Sequence, residues 1–189
     1  QAGLGMGDRD YYLVEDDASV KMRDAYKQFI NQLFTLTGAS PEQAEAAVNA
    51  VMKIETGIAK SSFSREDLRD SQKNYNKIKL QEFKANNNPL DWDVYFESLG
   101  LMEIEYLDAK QLPFYEALGE FMKNVSIDEQ KYYLAFNLLN AAAPYLSDDF
   151  VAAEFDFYGK VMSGKLEQKP RWKRSLSTVN SALGEAVGQ

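Results

Sequence analysis

The chain has 189 residues, 45% of them hydrophobic, carries 29 acidic against 21 basic side chains for a net charge of -8, and contains neither histidine nor cysteine. That length and hydrophobic content suit a globular chain with a real core. The missing residue types exclude disulfides, thiolate metal sites and the imidazole chemistry of most zinc centres and catalytic triads. The acidic balance disfavours a nucleic-acid partner, because duplex binding needs a basic face to displace counterions. No apolar run reaches the about 18 residues of a membrane span, and the first residues lack the basic start and apolar stretch of a secretory signal, so no direct membrane contact is expected.

Gly3, Gly5 and Gly7 open the chain, and the entropy glycine loses on ordering argues against a helix there, so residues 1–16 are expected to form an extended opening segment. A first helix is predicted from Asp17 to Thr37, with Met22, Tyr26, Phe29, Ile30 and Leu33 on one face and Gly38 placed to end it. Ser40-Pro41-Glu42-Gln43 then supplies a cap, a proline at the first helical position and a capping-box glutamine, followed by Ala44, Ala47, Val48, Val51 and Ile58 at helical spacing. These two helices should form an antiparallel hairpin. Residues 61–90 are polar and mixed, with Ser64 capping a short turn through Asp67, another turn over Leu80 to Ala85, and a breaker at Asn86-Asn87-Asn88-Pro89.

Asp91 is placed to cap a helix carrying Trp92, Tyr95, Phe96 and Leu99 and ending at Gly100, and Glu103 to Leu107 allows one short extended piece. Leu118, Phe121, Met122 and Val125 mark the next helix, and Ser126-Ile127-Asp128-Glu129 is a capping box for a longer one through Tyr132, Phe136, Leu139 and Ala143. Ser147 is expected to cap a helix whose Phe150, Val151, Phe155, Phe157, Tyr158, Val161 and Met162 cover almost its whole circumference, which would make it central and buried. Pro170 can open the last helix, on which Trp172, Leu176, Val179, Leu183 and Val187 share one face, with Trp172 as a buried anchor. Its apolar periodicity still runs at the last residue, so the final helix, 170–189, is expected to be truncated and the chain to be part of something larger. The fold class is all-α, one multi-helical domain over 1–189 of about seven or eight helices with at most one short extended segment.

The charge is uneven. Residues 1–158 carry 27 acidic and 15 basic side chains, a net -12, whereas 159–189 carry 2 and 6, a net +4, so the basic last helix should meet an acidic surface, either within this domain or on a neighbour. Gly159 to Lys165 matches the glycine and lysine spacing of a phosphate loop, but Leu166 stands where magnesium needs a hydroxyl, and a helix precedes it. Gly3, Gly5 and Gly7 lack the preceding strand of a dinucleotide site. Asp8-Arg9-Asp10-Tyr11-Tyr12 could bind a charged ligand through forked hydrogen bonds, yet such clusters more often tie an opening segment to the domain body. The pairs Asp16-Asp17 and Asp148-Asp149 sit at helix starts, where acids complement the macrodipole, and Asn124-Val125-Ser126 is better read as a cap than as a glycosylation acceptor. In Arg171-Trp172-Lys173-Arg174, a basic patch with an aromatic, the tryptophan lies on the apolar stripe, which argues against a nucleic-acid surface.

Asp8-Arg9-Asp10-Tyr11-Tyr12-Leu13, Tyr75-Asn76-Lys77, Phe155-Asp156-Phe157-Tyr158-Gly159-Lys160, Pro170-Arg171-Trp172-Lys173-Arg174 and Leu183-Gly184-Glu185-Ala186-Val187-Gly188 resemble, in that order, signatures of the N-terminal half of neprilysin-like zinc metallopeptidases. The resemblance is to the bacterial oligopeptidases of the family, since Ser175 stands where the animal enzymes usually carry a disulfide cysteine, and Met6-Gly7 departs from the proline that often precedes the Asp-Arg-Asp-Tyr-Tyr run. It implies a helical cap domain of a periplasmic or extracytoplasmic zinc endopeptidase, closing over the active-site chamber and admitting only short peptides. One zinc ion is implied in a C-terminal catalytic domain carrying an H-E-x-x-H helix, with that domain and short peptide substrates as partners. No catalytic, cofactor-binding or metal residue is carried onto this chain, because the family's zinc ligands and catalytic groups lie beyond residue 189 and its substrate-carboxylate arginine lies upstream of residue 1. The competing class is a stand-alone helical interaction or ligand-binding module that docks through the basic last helix.

Overall fold

The computed structural model describes residues 3–86, 90–101 and 103–188. Among them the backbone forms ten α-helices and two three-residue strands, so the all-α class holds. Helices α1 (Asp10–Leu13) and α4 (Arg65–Arg69) are only one turn or so long, which accounts for a count above that read from longer periodic stretches. The chain divides into two compact units, Gln1–Ala141 and Ala142–Gln189.

The first unit is built on a helical hairpin, α2 (Asp17–Leu36) and α3 (Pro41–Ser61). Asp16 starts α2 by accepting the Ser19 N–H at 2.8 Å. Gly38 ends it at φ +86°, a conformation that a side chain would oppose. Ser40 and Gln43 then close the capping box of α3 in both directions, at 3.3 and 2.9 Å. The apolar faces of both helices are removed from water, with Tyr26, Ile30, Leu33, Ala44, Ala47 and Val51 all 0% exposed. Phe136, from α8 (Ile127–Ala142), completes this core by meeting the rings of Tyr26 and Phe29 edge-on at 5.8 and 6.3 Å. The opening segment is not extended throughout, as its glycines had suggested. Gly7 turns at φ +75°, and α1 follows as soon as the glycines end.

A small satellite lies between α4 and α8. Strand β1 (Lys77–Lys79) pairs antiparallel with β2 (Tyr106–Asp108) in the register Lys77↔Asp108, Ile78↔Leu107, Lys79↔Tyr106. Two strands therefore stand where at most one extended piece was expected, because β1 is too short to show a period and gains its pairing from a partner some thirty residues away. Helices α5 (Leu80–Asn86) and α6 (Trp92–Ser98) pack Phe83 and Phe96 with Ile78, Leu80 and Ala109, and Trp92 stands edge-on to Phe83 at 4.9 Å. Asp91 caps α6 through the Val94 N–H, and Gly100 turns at φ +68°, as the sequence predicts. The expected breaker at Asn87 to Pro89 lies outside the described residues.

Helix α7 (Leu112–Met122) begins after Gln111, whose φ of +55° is the one positive value at a non-glycine among the described residues. Its side chain accepts the Phe63 N–H at 2.8 Å, which offsets a backbone cost of about 1 kcal/mol and pins α7 to the end of α3. Gly57 on α3 leaves room for the Phe121 ring of α7, since a Cβ there would lie 2.5 Å from it. At the start of α8, Ser126 and Glu129 form the predicted box. Glu129 also takes a hydrogen bond from Lys53 at 2.7 Å, and that bond followed by those from Ser126 holds its carboxyl down at about 2.

The second unit holds a 3-10 turn (Ala143–Tyr145), α9 (Asp148–Glu154), a π-helical stretch (Phe155–Val161) and α10 (Arg171–Val187). Ser147 occupies the cap position of α9 without a side-chain cap bond, so Asp148 and Asp149 support that end by charge alone. The wide π turn lets the Phe155 ring fold over Gly159, where a Cβ would meet it at 2.3 Å. The expectation of a helix buried all round is corrected. Val151, Ala153 and Phe157 are buried but Val161 is 45% exposed, because the extra residue per turn rotates the following positions off the apolar face.

Candidate functional site

Two features of the folded chain carry chemistry that ordinary packing does not require. The first is the outer face of α10. Trp172, Leu176, Val179 and Leu183 do share one face, yet they are 64%, 62%, 48% and 56% exposed. The buried anchor read from the sequence is therefore corrected, since periodicity decides which residues share a face but not whether anything covers it. Lys173 Nζ rests 5.3 Å from the centre of the Trp172 ring, a cation–π contact in water. Beside the stripe, Arg171, Arg174, Ser175 and Thr178 form one wall of a cleft of about 600 Å³ whose other wall runs from Pro144 to Asp148. Arg174 Nε is buried there without a hydrogen-bond partner among the described residues. Burial raises the carboxyl of Glu154, against the pull of Lys165 and Arg174. With the indole in solvent, Trp172→Ala should cost less than about 1 kcal/mol by urea denaturation, far below the loss from a buried tryptophan.

The second feature is Glu55, a carboxyl only 1% exposed in the middle of α3. Tyr12 Oη donates to Glu55 Oε2 at 2.6 Å and Tyr26 Oη to Oε1 at 3.1 Å. Tyr12 Oη in turn accepts the Met6 N–H at 3.0 Å. Burial pushes the carboxyl from 4.5 up to about 7, against the opposing hydrogen bonds of Tyr12, Tyr26 and the Gly5 backbone. This group escaped the sequence reading, although a signal existed. Glu55 follows Val51 by four residues and precedes Ile58 by three, which puts it on the apolar face of α3.

The Asp-Arg-Asp-Tyr-Tyr cluster ties the opening segment to the body, the role preferred from sequence. Asp8 is buried, pairs with Arg65, and accepts the Asp10 N–H at 2.8 Å. Zinc chemistry finds no fitting ligands in these parts. Among the described residues no three histidine, cysteine, aspartate or glutamate side chains group so as to hold a metal ion, and the chain has no histidine or cysteine at all. No helix among the described residues is long and apolar enough to cross a membrane.

The profile of the N-terminal region of peptidase family M13 matches residues 1–189. The chain belongs to that family. The M13 chain is 27% identical over 202 residues to membrane metallo-endopeptidase-like 1 of Mus musculus, covering 100% of this chain and 26% of the relative. It is 29% identical over 162 residues to the neutral endopeptidase of Lactobacillus helveticus, covering 86% of this chain and 25% of the relative. Its fold is similar to that of the zinc metalloprotease Zmp1 of Mycobacterium tuberculosis in complex with an inhibitor, with a TM-score of 0.90, 26% identity, and coverage of 100% of this chain and 29% of that one. The chain thus spans about a quarter of the length of its relatives.

Proposed function

We propose that this M13 chain is the non-catalytic helical cap of a zinc-dependent endopeptidase, a wall that encloses the active-site chamber and limits substrates to short peptides. The observation that carries the reading is the α10 stripe, four large apolar side chains with a tryptophan at spacings of four, three and four residues, all open to solvent. Contiguous exposed apolar surface of this kind marks an interface, and relatives about four times as long supply polypeptide to cover it. Enclosure would act physically, by excluding water and so strengthening the polarisation of a peptide carbonyl by the metal. On this reading the partner is the catalytic part of the same polypeptide, the zinc ion belongs to that part, and the whole acts outside the cytoplasm.

The test uses the chain and the longer polypeptide of its reading frame side by side. The chain alone should not cleave peptides, and the longer protein should, with an H-E-x-x-H helix in its catalytic part. With Trp92→Phe leaving Trp172 as the one indole of these 189 residues, acrylamide should quench its fluorescence freely in the chain, whereas in the longer protein the emission that Trp172→Phe removes should be poorly quenched. Peptidase activity in the chain by itself, or a longer protein that leaves Trp172 equally open, overturns the proposal. A stand-alone chain that buries Trp172 by self-association would favour an interaction module instead.

A further inference from the structure

The lid over Glu55 is the N-terminal arm, Gly3 to Leu13. Met6 is 1% exposed and Leu4 7%, so the arm is itself packed rather than loose in solvent. The Gly5 backbone hydrogen-bonds the carboxyl itself, and the Met6 N–H reaches it through the Tyr12 phenol. Tyr133 of α8 donates to the Gly3 carbonyl at 3.0 Å. Gly5 is required by contact, because a Cβ there would lie 1.8 Å from Tyr26 Oη. One carboxyl therefore collects donors from the arm, at Gly5 and at Tyr12 of α1, and from Tyr26 of α2, and it is 1% exposed beneath them.

We propose that Glu55 is a proton-linked clasp that holds the N-terminal arm closed on the α2–α3 hairpin and loosens it as the solution turns alkaline. Among the described residues the titratable groups that face Glu55 are phenols: Tyr12 from α1, Tyr26 from α2, and Tyr133 from α8, whose own phenol is raised by burial and then by the charge of Glu55. None of them supplies a positive charge to stabilise the carboxylate. When protonated, the carboxyl becomes a donor to a phenol oxygen and is at ease in the dry site. When ionised, it gains most by meeting water, and water reaches it once the arm lifts. Closing thus takes up a proton, because the closed carboxyl titrates at about 7 and an open one at its ordinary 4.5, so closure is favoured at low pH and weakened as pH rises between those values.

Amide hydrogen exchange tests this. After correction for intrinsic exchange, the opening constant of the Gly5, Met6 and Tyr12 amides should rise by about 30-fold from pH 5.5 to pH 8.5, while amides in the middle of α3 rise less. Glu55→Gln should flatten that pH dependence and keep the arm protected. Gly5→Ala, which drives a methyl into Tyr26, should open the arm at every pH. Arm amides with the same opening constant at both pH values, arm and α3 amides that open together, or a Glu55→Gln chain with the wild-type pH profile would each overturn the clasp. If Glu55→Gln does not fold, the wild-type comparison of arm and α3 amides decides by itself.

Discussion

Phe136→Ala is expected to lower the unfolding free energy by about 3–5 kcal/mol. The ring is 0% exposed and stands edge-on to both Tyr26 and Phe29, so its removal loses transfer energy and two aromatic contacts together. The surrounding positions cannot close the gap cheaply. Tyr26 is held by its hydrogen bond to Glu55, and α2 and α3 are fixed to each other by a short capped turn. Urea unfolding followed by far-ultraviolet circular dichroism would measure the loss. A change below about 1.5 kcal/mol would mean that α8 does not contribute to the core as described.

The second large effect is a fall in stability with rising pH, opposite in direction to that of most carboxylates. The folded-state value of Glu55 is raised to about 7 from 4.5. Its contribution is therefore fully present below 4.5, where folded and unfolded chains both hold the proton, and is lost as pH rises toward 7, where the unfolded chain releases the proton first. The loss amounts to about 3 kcal/mol across that window. Asp16 and Asp67, both lowered by hydrogen bonds, work in the other direction at lower pH. Subtracting the Glu55→Gln profile from the wild type isolates the buried group. The difference should shrink from pH 4.5 to 7.5, and a flat difference would show that Glu55 meets water in the folded state. This measurement reports on the whole fold and holds whether or not the arm opens first.

The helices that were legible in the sequence are those whose ends carry their own chemistry. Asp16, Ser40, Ser64, Asp91 and Ser126 each bond the backbone amide that a cap should reach, because capping is decided within three residues of chain. Strand β1 and the π turn at Phe155–Val161 were not legible. The strand depends on β2, and the π turn depends on which neighbour a ring can cover. For the candidate site, the α10 stripe was read correctly as a face and wrongly as buried. Glu55 was visible as a carboxylate on an apolar stripe, but only three-dimensional packing shows that two phenols and the arm close over it.

The sequence by itself determined the all-α class, the capped hairpin, the absence of imidazole and thiol chemistry, and membership of peptidase family M13 through residues spread along the whole chain, since these rest on composition, local periodicity and residue identity. Only the tertiary structure decided which apolar faces are covered and which are open, and what environment a given charge occupies. Both depend on surfaces brought together from distant parts of the chain: Glu55 is buried because Tyr12 and Tyr26 meet over it from 43 and 29 residues away, whereas Trp172 is open because nothing among the described residues covers it.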